Sequence, residues 1–190
     1  MSPVNYLQVL EHFNAKPREV REQFPAFETL VEEYTWDVSV SYVFSRVEAV
    51  KHCTIYCGIV KLHWTDSSLT RELVYKDHMS RGRFRQLFEI VFAKKIDPNL
   101  LAKLSEAEKI RDKIAHGKQW TQKEARKALK NVFDFAEEFN DFVYGIAGFK
   151  PFGDLRGFKG RKEPLPKETS RWVLKGMGIP GRSEDDKSRD

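Results

Sequence analysis

Apolar residues recur along most of this chain at spacings of three and four, the period of an amphipathic helix and not the alternation of a strand. Val43, Val47, Val50, Thr54, Cys57, Lys61 and Trp64 draw one 4,3 stripe that predicts a long helix over 36–64. Thr65-Asp66-Ser67-Ser68 interrupts it with turn and cap formers, and a second helical stretch begins near Ser68. Phe84, Leu87, Phe88, Val91 and Phe92 predict a third over 80–95. Asp97-Pro98 supplies an N-cap followed by proline at the first helical position, opening a helix to Ala115 that Gly117 is placed to end. Thr121-Gln122-Lys123-Glu124 is a capping box, in which each end residue can satisfy the other's free backbone donor. Behind it, Ala125, Leu129, Val132, Ala136, Phe139 and Val143 predict the last long helix, with Gly145 and Gly148 to close it. A short helix is expected at Lys167–Lys175 and a frayed end over Ser183–Asp190, and no internal repeat is visible. The pattern predicts an all-α, up-and-down helical bundle in three parts. These are an N-terminal helical segment (1–35), the bundle (36–145) and a partly ordered Gly/Pro/aromatic extension (146–190).

Composition narrows the class. A hydrophobic share of 41%, with 14 Phe, 6 Tyr and 4 Trp, can build a core and excludes disorder throughout. No apolar run approaches the roughly 18–20 residues that span a bilayer, so no membrane partner is expected. The first residues carry neither a basic n-region nor an apolar h-region, and the two cysteines make no disulfide framework. A soluble, cytoplasmic protein is the expectation. The Gly-rich strings of mononucleotide and dinucleotide sites are absent.

The formal charge of +5 is uneven. Residues 1–149 hold 22 Lys/Arg against 21 Asp/Glu, whereas residues 150–179 hold 8 against 3. The extension also interleaves Phe149, Phe152, Phe158 and Trp172 with its cations, a mixture that suits a strand of nucleic acid. The alternative is a tail that packs its rings onto the domain and leaves its lysines in water.

The chemistry gathers at the end of the helix that opens at Asp97. Leu100, Leu104, Ala107 and Ile114 form a narrow stripe, and Arg111 falls inside it. A guanidinium among leucines needs an acid across the core, such as Glu48, or a groove that opens there. His116 follows at the helix end, where a helix C-cap is its structural alternative. The string Arg111-Asp112-Lys113-Ile114-Ala115-His116 resembles the Arg–polar–x3–His signature of the HEPN superfamily, small helical bundles that include many metal-independent ribonucleases, toxins and antiviral effectors. The resemblance covers about residues 36–145. It implies that Arg111 and His116 are the active pair, with Asp112 orienting them. It also implies RNA as substrate, no metal or other cofactor, and a homodimer whose two motifs share one groove. A 2′,3′-cyclic phosphate product follows from attack by the RNA 2′-OH.

Other residues offer weaker chemistry. Lys113 and Lys118 flank the motif and could contact phosphates, and Arg83 and Arg85, in a cluster with His78 and Arg81, could guide RNA. Trp120 could stack a base or pack ahead of the capping box. Cys53 and Cys57, with His52 and His63 nearby, could suggest zinc, but ten residues turn a helix by about 280°, which separates Cys53 from His63. Buried thiols are the expectation. Two further functions compete with a ribonuclease: a non-catalytic module binding nucleotide, RNA or a partner, and a toxin whose basic tail docks an acidic antitoxin or regulatory protein.

Overall fold

The computed structural model describes residues 3–155, 158, 160 and 162–179, with side chains described from Tyr6 onward. Its described residues contain nine helices and no strand. They are α1 (Pro3–Asn14), α2 (Arg18–Arg21), α3 (Phe27–Glu33), α4 (Trp36–His63), α5 (Ser67–Lys76), α6 (Arg81–Phe92), α7 (Pro98–Ala115), α8 (Gln122–Ala147) and α9 (Lys167–Gly176). The chain is an all-α helical bundle. None of the described helices is long and apolar enough to cross a membrane.

The helices fall into two compact units, Met1–Val50 with Ile96–Leu155, and Lys51–Lys95 with Arg156–Asp190. The predicted 1–35 segment and the whole of the final long helix thus lie in the first unit. Residues of α4 up to Val50 belong to the first unit and those from Lys51 to the second.

The first unit is organised by α8. Its stripe of Ala125, Leu129, Val132, Ala136, Phe139 and Val143 is buried throughout, as the 4,3 spacing predicts. Phe133 lies beside that stripe, fully buried, with ring centroids 4.8 Å from Phe13 and Phe27 and 5.4 Å from Phe24. A short segment after α8 completes this core. The Asn140 side chain donates to the Phe152 carbonyl at 3.0 Å and accepts from the Phe152 N–H at 2.7 Å. This buried amide holds the segment as a neighbouring strand would. Phe149 and Phe152 are therefore core residues and not free rings of a tail. Gly148 ends α8 in the left-handed conformation (φ 65°), whereas Gly145 lies inside the helix and closes nothing.

The second unit is also capped by its own side chains. Asp66 accepts from the Leu69 N–H at 2.8 Å at the start of α5, and Ser80 accepts from the Arg83 N–H at 3.2 Å at the start of α6. Gly58 permits close packing there, because a Cβ at that position would lie 2.4 Å from Phe92 Cζ. The predicted short helix in the extension is α9. Its buried Ser170 hydroxyl accepts from the Asp66 N–H at 2.8 Å, and Leu174 is fully buried. Trp172 on the same helix is 81% exposed. The expectation of a frayed Ser183–Asp190, and the cations Arg156, Lys159 and Arg161, lie outside the described residues.

Carboxylates of the first unit set an acid limit on stability. Burial alone would raise Asp134, but hydrogen bonds and charge from Lys16 (2.5 Å) and His12 (2.8 Å) hold it below its ordinary range. Glu124 is pulled down to about 2 by Lys113 and by the donors of Thr121. Both folded values lie below the unfolded ones, so the stabilisation is present in full above about pH 5 and is lost as pH falls through the folded values. Urea midpoints measured at about pH 7, 5 and 2 are expected to stay level over the first interval and fall over the second.

Candidate functional site at the α7–α8 joint

Both ends of α7 are fixed locally. Asp97 accepts from the Asn99 N–H at 2.7 Å, and Pro98 occupies the first turn, where its missing donor does no harm. At the other end His116 is the C-cap and Gly117 adopts φ 62°, a conformation glycine reaches without penalty. The Gly117 N–H then bonds the Ile114 carbonyl at 3.2 Å and the Lys118 N–H bonds the Lys113 carbonyl at 2.8 Å. That pairing is a Schellman closure. Gly117–Trp120 are all that separate it from Thr121, whose hydroxyl accepts from the Glu124 N–H at 3.2 Å while Glu124 accepts from the Thr121 N–H at 2.7 Å. Two capped helix ends thus meet across a very short loop.

This architecture presents His116 at the rim, exposed to solvent. Arg111 sits one turn earlier and is half-buried. Its Nη2 is 3.6 Å from Glu48 Oε1, its Nε is 3.5 Å from Asp112 Oδ1, and its guanidinium carbon lies 5.6 Å from the Phe44 ring centroid. The acid across the core is therefore Glu48, the partner the stripe argument allows. These separations give charge attraction and cation–π contact without close hydrogen bonds. Arg111 Nε is buried with no hydrogen-bond partner among the described residues. Asp112 is half-buried beside it.

Cations surround the joint. Lys113 donates to Glu124 Oε1 at 2.7 Å, and Lys118 is exposed on the loop. An open concavity of about 530 Å³ lies under Gly117–Thr121 and Glu124, with Trp120, half-buried, on its wall. A neighbouring one of about 390 Å³ shares Glu124 and is lined by Lys109, Lys113 and Lys127. Residues 109–130 hold eight Lys/Arg against two acids, Asp112 and Glu124. Division of the charge at residue 149 hides this cluster, because Asp134, Glu137, Glu138 and Asp141 cancel it further along the same helix. A running charge count over about twenty residues would have found it. Sequence reasoning also passes over Glu108, a carboxylate on α7 only 2% exposed, for which spacing gives no signal.

The remaining candidates are placed elsewhere. Arg83 and Arg85 belong to the second unit. Arg83 is engaged there, donating to Asp77 Oδ2 at 2.8 and 3.0 Å and to the Gly178 carbonyl at 2.5 Å, while Arg85 is exposed. Cys53 and Cys57 have their sulfurs 3.9 Å apart, with Cys57 buried and Cys53 half-buried. The contact between them lowers the Cys53 thiol and, with burial, raises that of Cys57. His52 is stacked on Tyr75 and His63 faces the Val91 carbonyl at 2.8 Å, so neither imidazole adds to a metal set with the thiols. Among the described residues no group of three or more His, Cys, Asp or Glu side chains is arranged to hold a metal ion.

Fold and joint define an all-α bundle with a short, doubly capped, cation-rich helix joint. No family model, no curated protein and no solved structure matches the chain.

Proposed function

We propose that the chain is an endoribonuclease that cuts RNA at the α7–α8 joint without a metal ion, as an effector of the toxin or antiviral type. The observation that carries this reading is the exposed His116 imidazole on a closed helix end, five residues from Arg111 and flanked in the chain by Lys113 and Lys118. The resemblance of Arg111–His116 to the HEPN pattern supports it.

In this reading the RNA 2′-oxygen attacks the adjacent phosphorus, a P–O2′ bond forms, and the P–O5′ bond breaks. His116 suits transfer of the 2′ proton, or of the proton that the 5′ oxygen acquires on leaving. Arg111 suits the charge that builds on the phosphorane, because its fork can hold two phosphate oxygens. To do so it must exchange its long contact with Glu48 for phosphate, an exchange favoured by the missing hydrogen bond at Nε. Asp112 orients the guanidinium from the adjacent position. One chain carries one such histidine, so a homodimer with two joints in one groove would provide both the base and the acid.

Labelled total RNA incubated with the protein in EDTA tests the proposal. The expected products end in a 2′,3′-cyclic phosphate and begin with a 5′-hydroxyl, and Arg111→Ala abolishes them. A 3′-hydroxyl end, or no cleavage at all, overturns it. The second reading is a non-catalytic RNA- or partner-binding module, favoured by the place of Arg111 between Phe44 and Glu48, which an arginine with a purely structural role would also adopt. Wild type that binds RNA without cutting it would select that reading.

A further inference from the structure

The charge along α8 runs against the helix. Up to Lys130 it carries Lys123, Arg126, Lys127 and Lys130 against Glu124, and beyond that Asp134, Glu137, Glu138 and Asp141. A helix dipole favours acids at the N-terminus and cations at the C-terminus, so this gradient opposes helix stability and calls for another cause. The cations are also poorly partnered. Lys127 pairs with Glu106 at 3.0 Å, but Lys118, Lys123, Arg126 and Lys130 make no ion pair among the described residues. Arg126 is half-buried and its Nη1 is buried without a hydrogen-bond partner among them. A desolvated, unpaired guanidinium is costly, and an incoming anion would relieve it.

Lys123, Arg126 and Lys130 line a concavity of about 440 Å³ between α1 and α8, together with Gln8, His12 and Asp134, whose carboxylate is already held by His12 and Lys16. It shares Lys127 and Asn131 with the neighbouring groove between α7 and α8, and that groove shares Glu124 with the hollow at the joint. One basic surface of the first unit therefore leads from α1 to His116's end of α7. At 1.5 Å per residue Lys123 and Lys130 stand about 10 Å apart along α8, far enough to meet separate phosphates. No Phe, Tyr or Trp lines the α1–α8 concavity, and its one imidazole, His12, is bonded to Asp134 at 2.8 Å. Stacking on unpaired bases, the usual means of holding a single strand, therefore has no free ring to act on there. A duplex hides the faces of its bases and offers phosphates and 2′-hydroxyls.

We infer that the N-terminal half of α8, with the facing side of α1, binds the phosphate backbone of base-paired RNA, so that the RNA held by this chain is one with a stem. The inference rests on RNA being the ligand of this chain, and not on its being cut.

Binding of a short labelled RNA duplex to the full-length His116→Ala protein, followed by fluorescence anisotropy over a salt series, separates the two. Lys123→Glu/Arg126→Glu/Lys130→Glu is expected to weaken duplex binding by more than about tenfold and to lower the slope of log affinity against log salt by about two to three. The double variant Lys123→Ala/Lys130→Ala leaves Arg126 in place and should lower the slope by about one to two. Unchanged duplex binding in both variants overturns the inference, and cleavage by wild type would then still uphold the ribonuclease reading. Duplex binding lost in the variants upholds the inference even if wild type never cuts. Equal or tighter binding of the separated single strand, tighter binding of a B-form DNA duplex, or equal competition by poly-glutamate, as an acidic protein partner would give, each overturns it.

Discussion

His116→Ala is expected to reduce RNA cleavage by about 10²–10⁴-fold while leaving the fold and RNA binding unchanged, as read by single-turnover cleavage beside thermal melting. The separation of effects follows from the cap. His116 contributes its backbone to the closure of α7, its N–H bonding the Asp112 carbonyl at 3.1 Å, and its side chain is exposed. Alanine keeps the backbone bonds and removes only the imidazole. The contrast with Arg111→Ala is informative, because that change also removes the contact with Phe44 and takes the guanidinium away from Glu48. Loss of activity in Arg111→Ala with a lowered melting temperature would therefore be ambiguous by itself. Loss in His116→Ala at an unchanged melting temperature would not. Full activity in His116→Ala would remove the imidazole from the chemistry.

Phe133→Ala is expected to lower stability by about 3–5 kcal/mol, as urea or guanidinium denaturation would measure. Phe133 is the point where α1, α3 and α8 meet, since its ring packs against Phe13, Phe24 and Phe27. Among those neighbours Phe13 packs edge-on against Phe24 and tilted against Phe27, an arrangement of rings that collapses poorly into a vacated space. For a domain of ordinary stability, about 5–15 kcal/mol, the loss is a large fraction of the whole. Phe133→Leu, which keeps more of the volume, should lose less.

Helix ends were the most legible part of this sequence, because cap chemistry is local. Asp97-Pro98, Gly117 and the Thr121–Glu124 box each act on backbone within a few residues, and α7 runs from Pro98 to Ala115 as they predict. The α8 stripe was legible for the same reason: one helix face repeats one period. Reading failed where the outcome depended on distant residues. The stripe of α4 continues on paper to Lys61 and Trp64, yet the helix ends at His63, and Trp64 turns left-handed (φ 57°) with its ring 44% exposed. Gly145 and Gly148 look alike as helix enders, but only Gly148 takes the positive φ that needs glycine. Of the candidate site, the string Arg111–His116 and its place at a helix joint were readable, and so was the option of Glu48. The basic surface of α8 was not visible in the charge total, since acids further along the same helix cancel it and only a short running count separates the two stretches.

The Asn140–Phe152 pair also bears on how this chain can be divided. A natural place to shorten it would be Gly148, where α8 ends. Cutting there would strand the Asn140 amide, 2% exposed, with neither its donor nor its acceptor, and would uncover the face that Phe149 and Phe152 occupy. A self-sufficient α8 must carry its own epilogue as far as Phe152. The boundary of the minimal folding piece is set by a side-chain amide in the middle of a helix and not by the glycine that ends it.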